Sequence, residues 1–265
     1  MEYLPLVSII TVVYNGEKKI EQAIQSALGQ SYKNIEYIII DGGSKDGTME
    51  IVKKYQDQLR WISEKDEGIS DAFNKGIKIA SGEIIGIINA DDWYENDAIE
   101  HVVKNFQGND VIYGDMRMWG NEKIEFVVKG NHEILKDEMT VNHPTVFIAK
   151  ACYDKFGLFD KSYRCAMDYD LLLRLKVNNC RFKYVPKILA NMSLAGFSDK
   201  RWMIGCRETL EIKDKYMPHR RIKNHLYFYK HTAAIMIPRF LKKIKLGFIV
   251  KMYRSRYSKM KKEYE

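Results

Sequence analysis

Hydrophobic positions in the first hundred residues alternate between two periods. Val7–Val13 is rich in β-branched side chains and predicts a strand buried on both faces. Glu17–Leu28 then places Ile20, Ala23, Ile24, Ala27 and Leu28 at helical spacing. The alternation continues with strands over Ile35–Ile40, Leu59–Ser63 and Glu83–Ile88, and helices over Thr48–Tyr55 and Ile69–Ala80. Strands and helices taking turns in this way predict βαβ units, a mostly parallel central sheet and an α/β fold. Ligands of such sheets sit beyond the carboxyl ends of the strands. That rule singles out Tyr14 and Asn15, Asp41, and Asn89 to Asp92, each directly after a strand. From about residue 110 the pattern loosens. Val111–Met118 and Thr145–Ile148 read as strands, Lys150–Phe156 and Tyr169–Val177 as helices.

Charge divides the chain. From Lys213 to Glu265 there are 16 Lys/Arg against 3 Asp/Glu, so the net charge of +8 is an acidic body of −5 with a basic tail of +13. A polyanionic partner for the tail follows from that split. Within it, Pro238–Met252 sets Phe240, Leu241, Ile244, Phe248 and Met252 on one helical face and Lys242, Lys243, Lys245 and Lys251 mainly on the other. Such a helix either lies on an anionic membrane surface or packs on the body with its lysines solvated. No recognised nucleic-acid-binding motif accompanies the charge, so nucleic acid is not the expected partner. No apolar run approaches the ~18 residues of a spanning helix. Met1–Pro5 lacks the basic region and cleavage site of a signal peptide. Cys152, Cys165, Cys180 and Cys206 show no metal-ligand spacing and fit buried or free thiols in a reducing, cytoplasmic setting.

Several polar positions carry candidate chemistry, each with a plainer alternative. Asp91 and Asp92 after a strand suit a divalent cation that bridges a diphosphate, or simply cap the next helix. Asp41 before Gly42 and Gly43 can accept a base N–H, or hold a turn. Gly68–Gly76 offers a turn and a helix start with Asp71 and Asn74, of which Asn74 and Lys75 fit equally a solvated helix face.

Four segments decide among these readings: "SIITVVYNGEKKIEQAIQSALGQSY" (Ser8–Tyr32), "EYIIIDGGSKDGT" (Glu36–Thr48), "DEGISDAFNKGIKIASGEIIGIINADDWY" (Asp66–Tyr94) and "AMDYDLLLRL" (Ala166–Leu175). In this order and spacing, over roughly residues 6–200, the chain resembles the family 2 glycosyltransferases of GT-A fold. The forms "DGGS", "DEGISDAFNKG" and "NHPTVF" before "DYDLLLRL" are similar to the bacterial subgroup building O-antigen, colanic-acid and capsule polysaccharides. The resemblance implies that Thr11, Tyr14 and Asn15 belong to the first nucleotide-contacting loop, and that Asp41 binds the base, usually uracil. It places Gly68, Asp71 and Asn74 near the ribose and diphosphate. Asn89-Ala90-Asp91 matches the DxD motif, with Asp91 on a divalent metal, Mn²⁺ or Mg²⁺. Asp168 matches the catalytic base, with a helix N-cap as its plainer alternative; Asp170 is its rival, although it pairs more naturally with the helix start or with Arg174 at i+4. His143, before Pro144, is either structural or on the acceptor or phosphate side. Gly196 to Ser198, with Arg201 and Trp202, resemble a segment that closes over the donor.

Three positions depart from the family pattern. Asn89 replaces the first Asp of DxD, Phe73 stands where many relatives carry Arg, and Met167 replaces the Glu before the base. Lys75, Arg164 or the metal would then supply charge to the diphosphate. The resemblance implies a GT-A domain over residues 1–212, with a donor half to about 110 and an acceptor half from about 111, followed by a basic helical tail over 213–265. It further implies inverting transfer from a UDP-sugar to a lipid-linked saccharide, by a cytoplasmic enzyme peripheral on the inner face of the membrane. A non-catalytic sugar-nucleotide or partner-binding module of the same fold is the alternative, and a metal-dependent nucleotidyltransferase a third that leaves Asp168 without a role.

Overall fold

The first predicted strand, β1 (Val7–Val13), is buried at every residue because it has a parallel neighbour on each side. These are β2 (Ile35–Asp41) and β4 (Ile84–Asn89), and β3 (Arg60–Ser63) extends the sheet beyond β2. Registers Val13↔Asp41 and Val12↔Asn89 bring the carboxyl ends of the three inner strands to one level. This computed structural model describes residues 4–120, 123–193 and 202–244. Helix α1 (Ile20–Leu28) buries Ile20, Ala23, Ile24 and Ala27, the side picked out by the sequence period. Two further helices, α2 (Thr48–Lys53) and α3 (Ile69–Ile79), also fall where expected. Helix α3 crosses β1 so closely that a Cβ on Gly76 would lie 2.5 Å from Cγ2 of Ile10. Only glycine fits that crossing.

Beyond β4 the sheet changes character. After β5 (Trp93–Tyr94) and α4 (Ala98–Lys104), β6 (Val111–Gly120) forms a hairpin with β7 (Lys123–Val128). Then β8 (Phe147–Ala149) inserts antiparallel between β4 and β6, followed by α5 (Lys150–Phe156) and α6 (Met167–Val177). Finally β9 (Phe182–Ser193) runs parallel to β6 and antiparallel to β5. The order is β3-β2-β1-β4-β8-β6-β9-β5, parallel through its first four strands and mixed thereafter. The strand expected from Thr145 starts at Phe147, because Pro144, with fixed φ and no N–H, sits in a short 3₁₀ turn over His143–Thr145. No period announced β9: Lys183, Pro186 and Lys187 break its alternation, and a proline argues against a strand interior.

Contacts divide the chain into two compact units, Met1–Asp199 and Lys200–Glu265. The second holds α7 (Trp202–Tyr216), a 3₁₀ turn at Pro218–Arg220 and α8 (Arg221–Lys243). The boundary expected at 212/213 falls inside α7, a continuous helix. Buried Lys213 holds its ammonium 3.4 Å from the Tyr227 ring centre, and Asn224 and His225 meet Asp214. The helix expected to begin at Pro238 is corrected: Pro238 lies inside α8, which starts 17 residues earlier at Arg221. The proline leaves the carbonyl of Ala234 without its helical donor, and Ala234 is exposed, where water can take that carbonyl. Residues from 245 onward, including Phe248 and Met252, lie outside the described residues.

Candidate active site

Three strand ends and two helix starts form the site. The loop after β1 is laced to the loop after β2. Asn15 adopts φ 51° and donates its N–H to Ser44 Oγ at 2.7 Å, while its Oδ1 accepts from Lys45 N at 2.9 Å. Gly16 N donates to Thr48 Oγ1 at 2.9 Å, and Gly42 N to the carbonyl of Val13 at 2.9 Å. Tyr14 is left 62% exposed on this rim, a free aromatic face. Thr11 is not part of the loop: it lies inside β1, fully buried, and accepts from Tyr37 Oη at 3.0 Å. Asp41 is also fully buried. Its carboxylate accepts from Gly43 N at 3.2 Å, Ser44 N at 3.0 Å, Ser63 Oγ at 2.6 Å and Ser44 Oγ. Those donors fill its lone-pair directions, so it organises the turn, and a base N–H would have to displace a serine hydroxyl.

The loop after β4 holds the acids. Asp92 is buried, and its Oδ2 accepts from Asn89 Nδ2 at 3.2 Å. Burial, then the charge of Asp91, pushes its carboxyl up to about 7. Oδ1 of Asp92 and Oδ1 of Asn89 are both buried without a partner. Two orphaned oxygens beside a second carboxylate are a donor set for a hard divalent cation, which keeps its remaining positions for water and phosphate. Such an ion would also relieve the repulsion between the two acids. Among the described residues, no three His, Cys, Asp or Glu side chains cluster into a metal site on their own. The donors here, two carboxylates and an amide, fit a site completed by a ligand.

On α3 the expected residues separate. Gly68 takes φ 123°, a value that favours glycine, and opens the helix. Asp71 faces Lys161 at 3.2 Å and Lys75 at 3.7 Å, and Lys75 also meets Glu64 at 2.8 Å. Asn74 turns its amide to the protein's own backbone. Its Nδ2 donates to the carbonyl of Phe159 and its Oδ1 accepts from Phe159 N, both at 2.9 Å, pinning the segment that leads to α6. Phe73 is buried against His143 and Phe159, with ring centres 5.2 and 5.0 Å away.

That segment delivers Asp168. Helix α6 begins at Met167 with Ala166 as its N-cap, so Asp168 is a first-turn residue and not the cap; its Oδ1 accepts from Tyr169 N at 2.8 Å. Asp170 is fully buried and meets Arg174 Nη2 at 3.1 Å, the i+4 pairing read from the sequence. Asp168 and His143 line one small cavity together with Tyr153, Phe159 and apolar side chains of β4, β8 and α6. His143 is half-buried as a residue, but its Nε2 is buried without a partner, and burial holds the ring's pKa down at about 4. Behind the acidic loop, Glu95, Arg117, Trp119 and Asn191 form a hydrogen-bonded network that sequence reading missed, because it depends on β9. Of the closing segment, Gly196 to Ser198 and Arg201 lie outside the described residues, while Trp202 opens α7 under the guanidinium of Arg239.

The family model "Glycosyl transferase family 2" matches residues 8–167. An uncharacterised glycosyltransferase of Rickettsia typhi is 35% identical over 202 residues, 69% of this chain and 62% of the relative. Chondroitin synthase of Escherichia coli is 32% identical over 208 residues, 74% of this chain and 30% of the synthase. The chain thus spans less than two thirds of the length of these relatives. Among solved structures, a mannosyltransferase of Pyrobaculum calidifontis in complex with GDP-Man and Mn²⁺ superposes with TM-score 0.68 at 16% identity, over 96% of this chain and 82% of that one. S. aureus TarS 1–349 in complex with UDP-GlcNAc gives 0.62 at 19% identity, over 84% and 73%. The family model, the relatives and the fold agree: the chain belongs to glycosyl transferase family 2.

Proposed function

We propose that the protein transfers a sugar, with inversion, from a nucleotide-diphosphate donor to a lipid-linked saccharide acceptor at a membrane surface. The observation that carries the reading is the acidic loop: orphaned oxygens of Asn89 and Asp92 stand with Asp91 at the carboxyl edge of the parallel sheet. A divalent cation bound there would neutralise charge on the departing diphosphate. Tyr14 and the laced loops at Asn15 and Asp41 bind and orient the nucleoside. Asp168 takes the proton of the acceptor hydroxyl as that oxygen attacks the anomeric carbon opposite the diphosphate, a single displacement that inverts the centre. The relative binding UDP-GlcNAc and the one binding GDP-Man with Mn²⁺ support a nucleotide-sugar donor and a divalent metal. UDP is favoured by the resemblance at Asp41, and uracil recognition there requires the N3–H to take the place of the Ser44 or Ser63 hydroxyl on that carboxylate. Polysaccharide synthesis is supported by the chondroitin synthase relative. Among the described residues no helix is long and apolar enough to cross a membrane; surface attachment is supported by the excess of Lys and Arg in the tail.

Thermal unfolding with UDP and Mn²⁺ or Mg²⁺ tests the donor site. Wild type should gain stability from UDP only with metal, and Asp91→Ala should lose that gain, with a smaller loss for Asp92→Ala. Equal stabilisation of wild type and Asp91→Ala would sink the reading.

A further inference from the structure

Helix α8 has two unlike faces. Asn224 and Tyr227 turn toward α7, where they meet Asp214 and Lys213. The opposite face carries Ile222, Leu226, Tyr229, Met236, Ile237 and Phe240, with Ile222 81%, Leu226 65% and Phe240 61% exposed. At 3.6 residues per turn these six fall within an arc of about 100° along the helix. A continuous stripe of large apolar side chains in water marks an interaction surface. Lys223 and Lys230 border the stripe on one side, and Arg221, Arg239 and Lys243 on the other. The helix contains no Asp or Glu. At its start the stripe meets a shallow depression walled by His219, Arg220 and Lys223, with Ile222 and Leu226 in its lining.

We propose that this face of α8 lies in the interface of an anionic lipid bilayer. The apolar side chains enter the headgroup–acyl boundary, and flanking lysines such as Lys230 and Lys243 extend their charged ends to lipid phosphates. Charge selects this occupant over the others. A second copy of α8 would set two acid-free basic helices against each other. Residues 245–265 carry 7 Lys/Arg against 2 Glu, so this chain's own tail is repelled in the same way. A nucleic acid would satisfy the cations but offers its phosphate backbone to the Ile, Leu and Met side chains of the stripe. An anionic bilayer satisfies both. The inference deepens the membrane location proposed above and assigns it to residues 222–240, ahead of the segment from Pro238 that the sequence pattern suggested.

Full-length protein is sedimented with phosphatidylcholine vesicles, with and without phosphatidylglycerol. Binding should require the anionic lipid and weaken with salt. Leu226→Glu combined with Phe240→Glu, both on exposed positions, should lower it at least about tenfold, with far-UV circular dichroism and metal-dependent UDP stabilisation unchanged. Replacing Lys230 and Lys243 by Ser should weaken the preference for phosphatidylglycerol. Undiminished vesicle binding by the double Glu variant would overturn the proposal. So would a concentration-dependent dimer that the same variant abolishes, or binding to a homopolymer RNA in preference to vesicles. Because UDP stabilisation is read separately, loss of vesicle binding alone leaves the transferase reading intact, and loss of UDP response alone leaves this one.

Discussion

Asp168 and Asp170 stand two residues apart in the first turn of α6, on different faces of the helix, and their surroundings divide the work between them. Asp170 is fully buried and held by Arg174, whose guanidinium also donates to the carbonyls of Phe156 and Leu158 at 2.7 Å. Removing one partner of a buried pair costs roughly 3–5 kcal/mol, so Asp170→Ala should lower the unfolding temperature sharply. Asp168 lines a cavity and is less buried, so Asp168→Asn should fold normally and keep UDP affinity while single-turnover transfer falls about 10²–10⁴-fold. Near-normal transfer by Asp168→Asn, with loss in Asp170→Asn, would reverse the assignment. His143 adds a pH dependence. Its folded pKa, about 4, lies below that of an exposed histidine, so the unfolded chain binds the proton first. The stability it contributes is full above the ordinary value near 6.5 and drains as pH falls toward 4. Denaturant titrations should show a shallower loss over that window for His143→Gln; an unchanged slope would show that the ring is not held neutral. At this scale the sequence identified which residues carry charge, but not which were already occupied. Asp41, Asn74 and Thr11 match the motifs, yet their polar atoms are engaged inside the protein by Ser44, Phe159 and Tyr37.

The Asn74–Phe159 contact joins two elements 85 residues apart, since α3 belongs to the parallel half and Phe159 to the approach to α6. Two hydrogen bonds to one backbone unit make a clamp that sets where α6, and with it Asp168, begins. Asn74→Ala orphans a buried N–H and a carbonyl, each worth about 1–3 kcal/mol. The expected outcome is a clear drop in melting temperature with UDP affinity retained in the folded fraction. If instead calorimetry shows UDP affinity lost at unchanged melting temperature, Asn74 touches the donor after all. Legibility followed the same division. The inner strands β1, β2 and β4 were visible because doubly covered parallel strands are largely apolar, as in the Ile38–Ile40 run of β2 and the Ile84–Ile88 run of β4. Strand β9 was hidden because it pairs with β6 across register shifts near Asp115 and carries Pro186 in its span. The network of Glu95, Arg117, Trp119 and Asn191 was hidden with it, since Asn191 is placed by β9.

On the scale of the whole molecule, the partition of charge matches the partition of ligands proposed above. The first unit gathers its chemistry at the ends of β1, β2 and β4, where the acids ask for a cation and a diphosphate. The second has a basic helix whose exposed stripe asks for a lipid surface. Amide hydrogen exchange separates these demands, because a ligand slows exchange where its binding suppresses local opening. UDP with Mn²⁺ should protect the loops after β1, β2 and β4, around residues 13–16, 41–44 and 89–92, and leave α8 unchanged. Phosphatidylglycerol vesicles should protect residues 222–240 and leave those loops unchanged. The loops should respond weakly to UDP without metal, because the acids at Asp91 and Asp92 repel a diphosphate until a cation stands between them. Protection of α8 by UDP as strong as that of the loops would show that one ligand occupies both units, and the assignment of a separate lipid surface would fall.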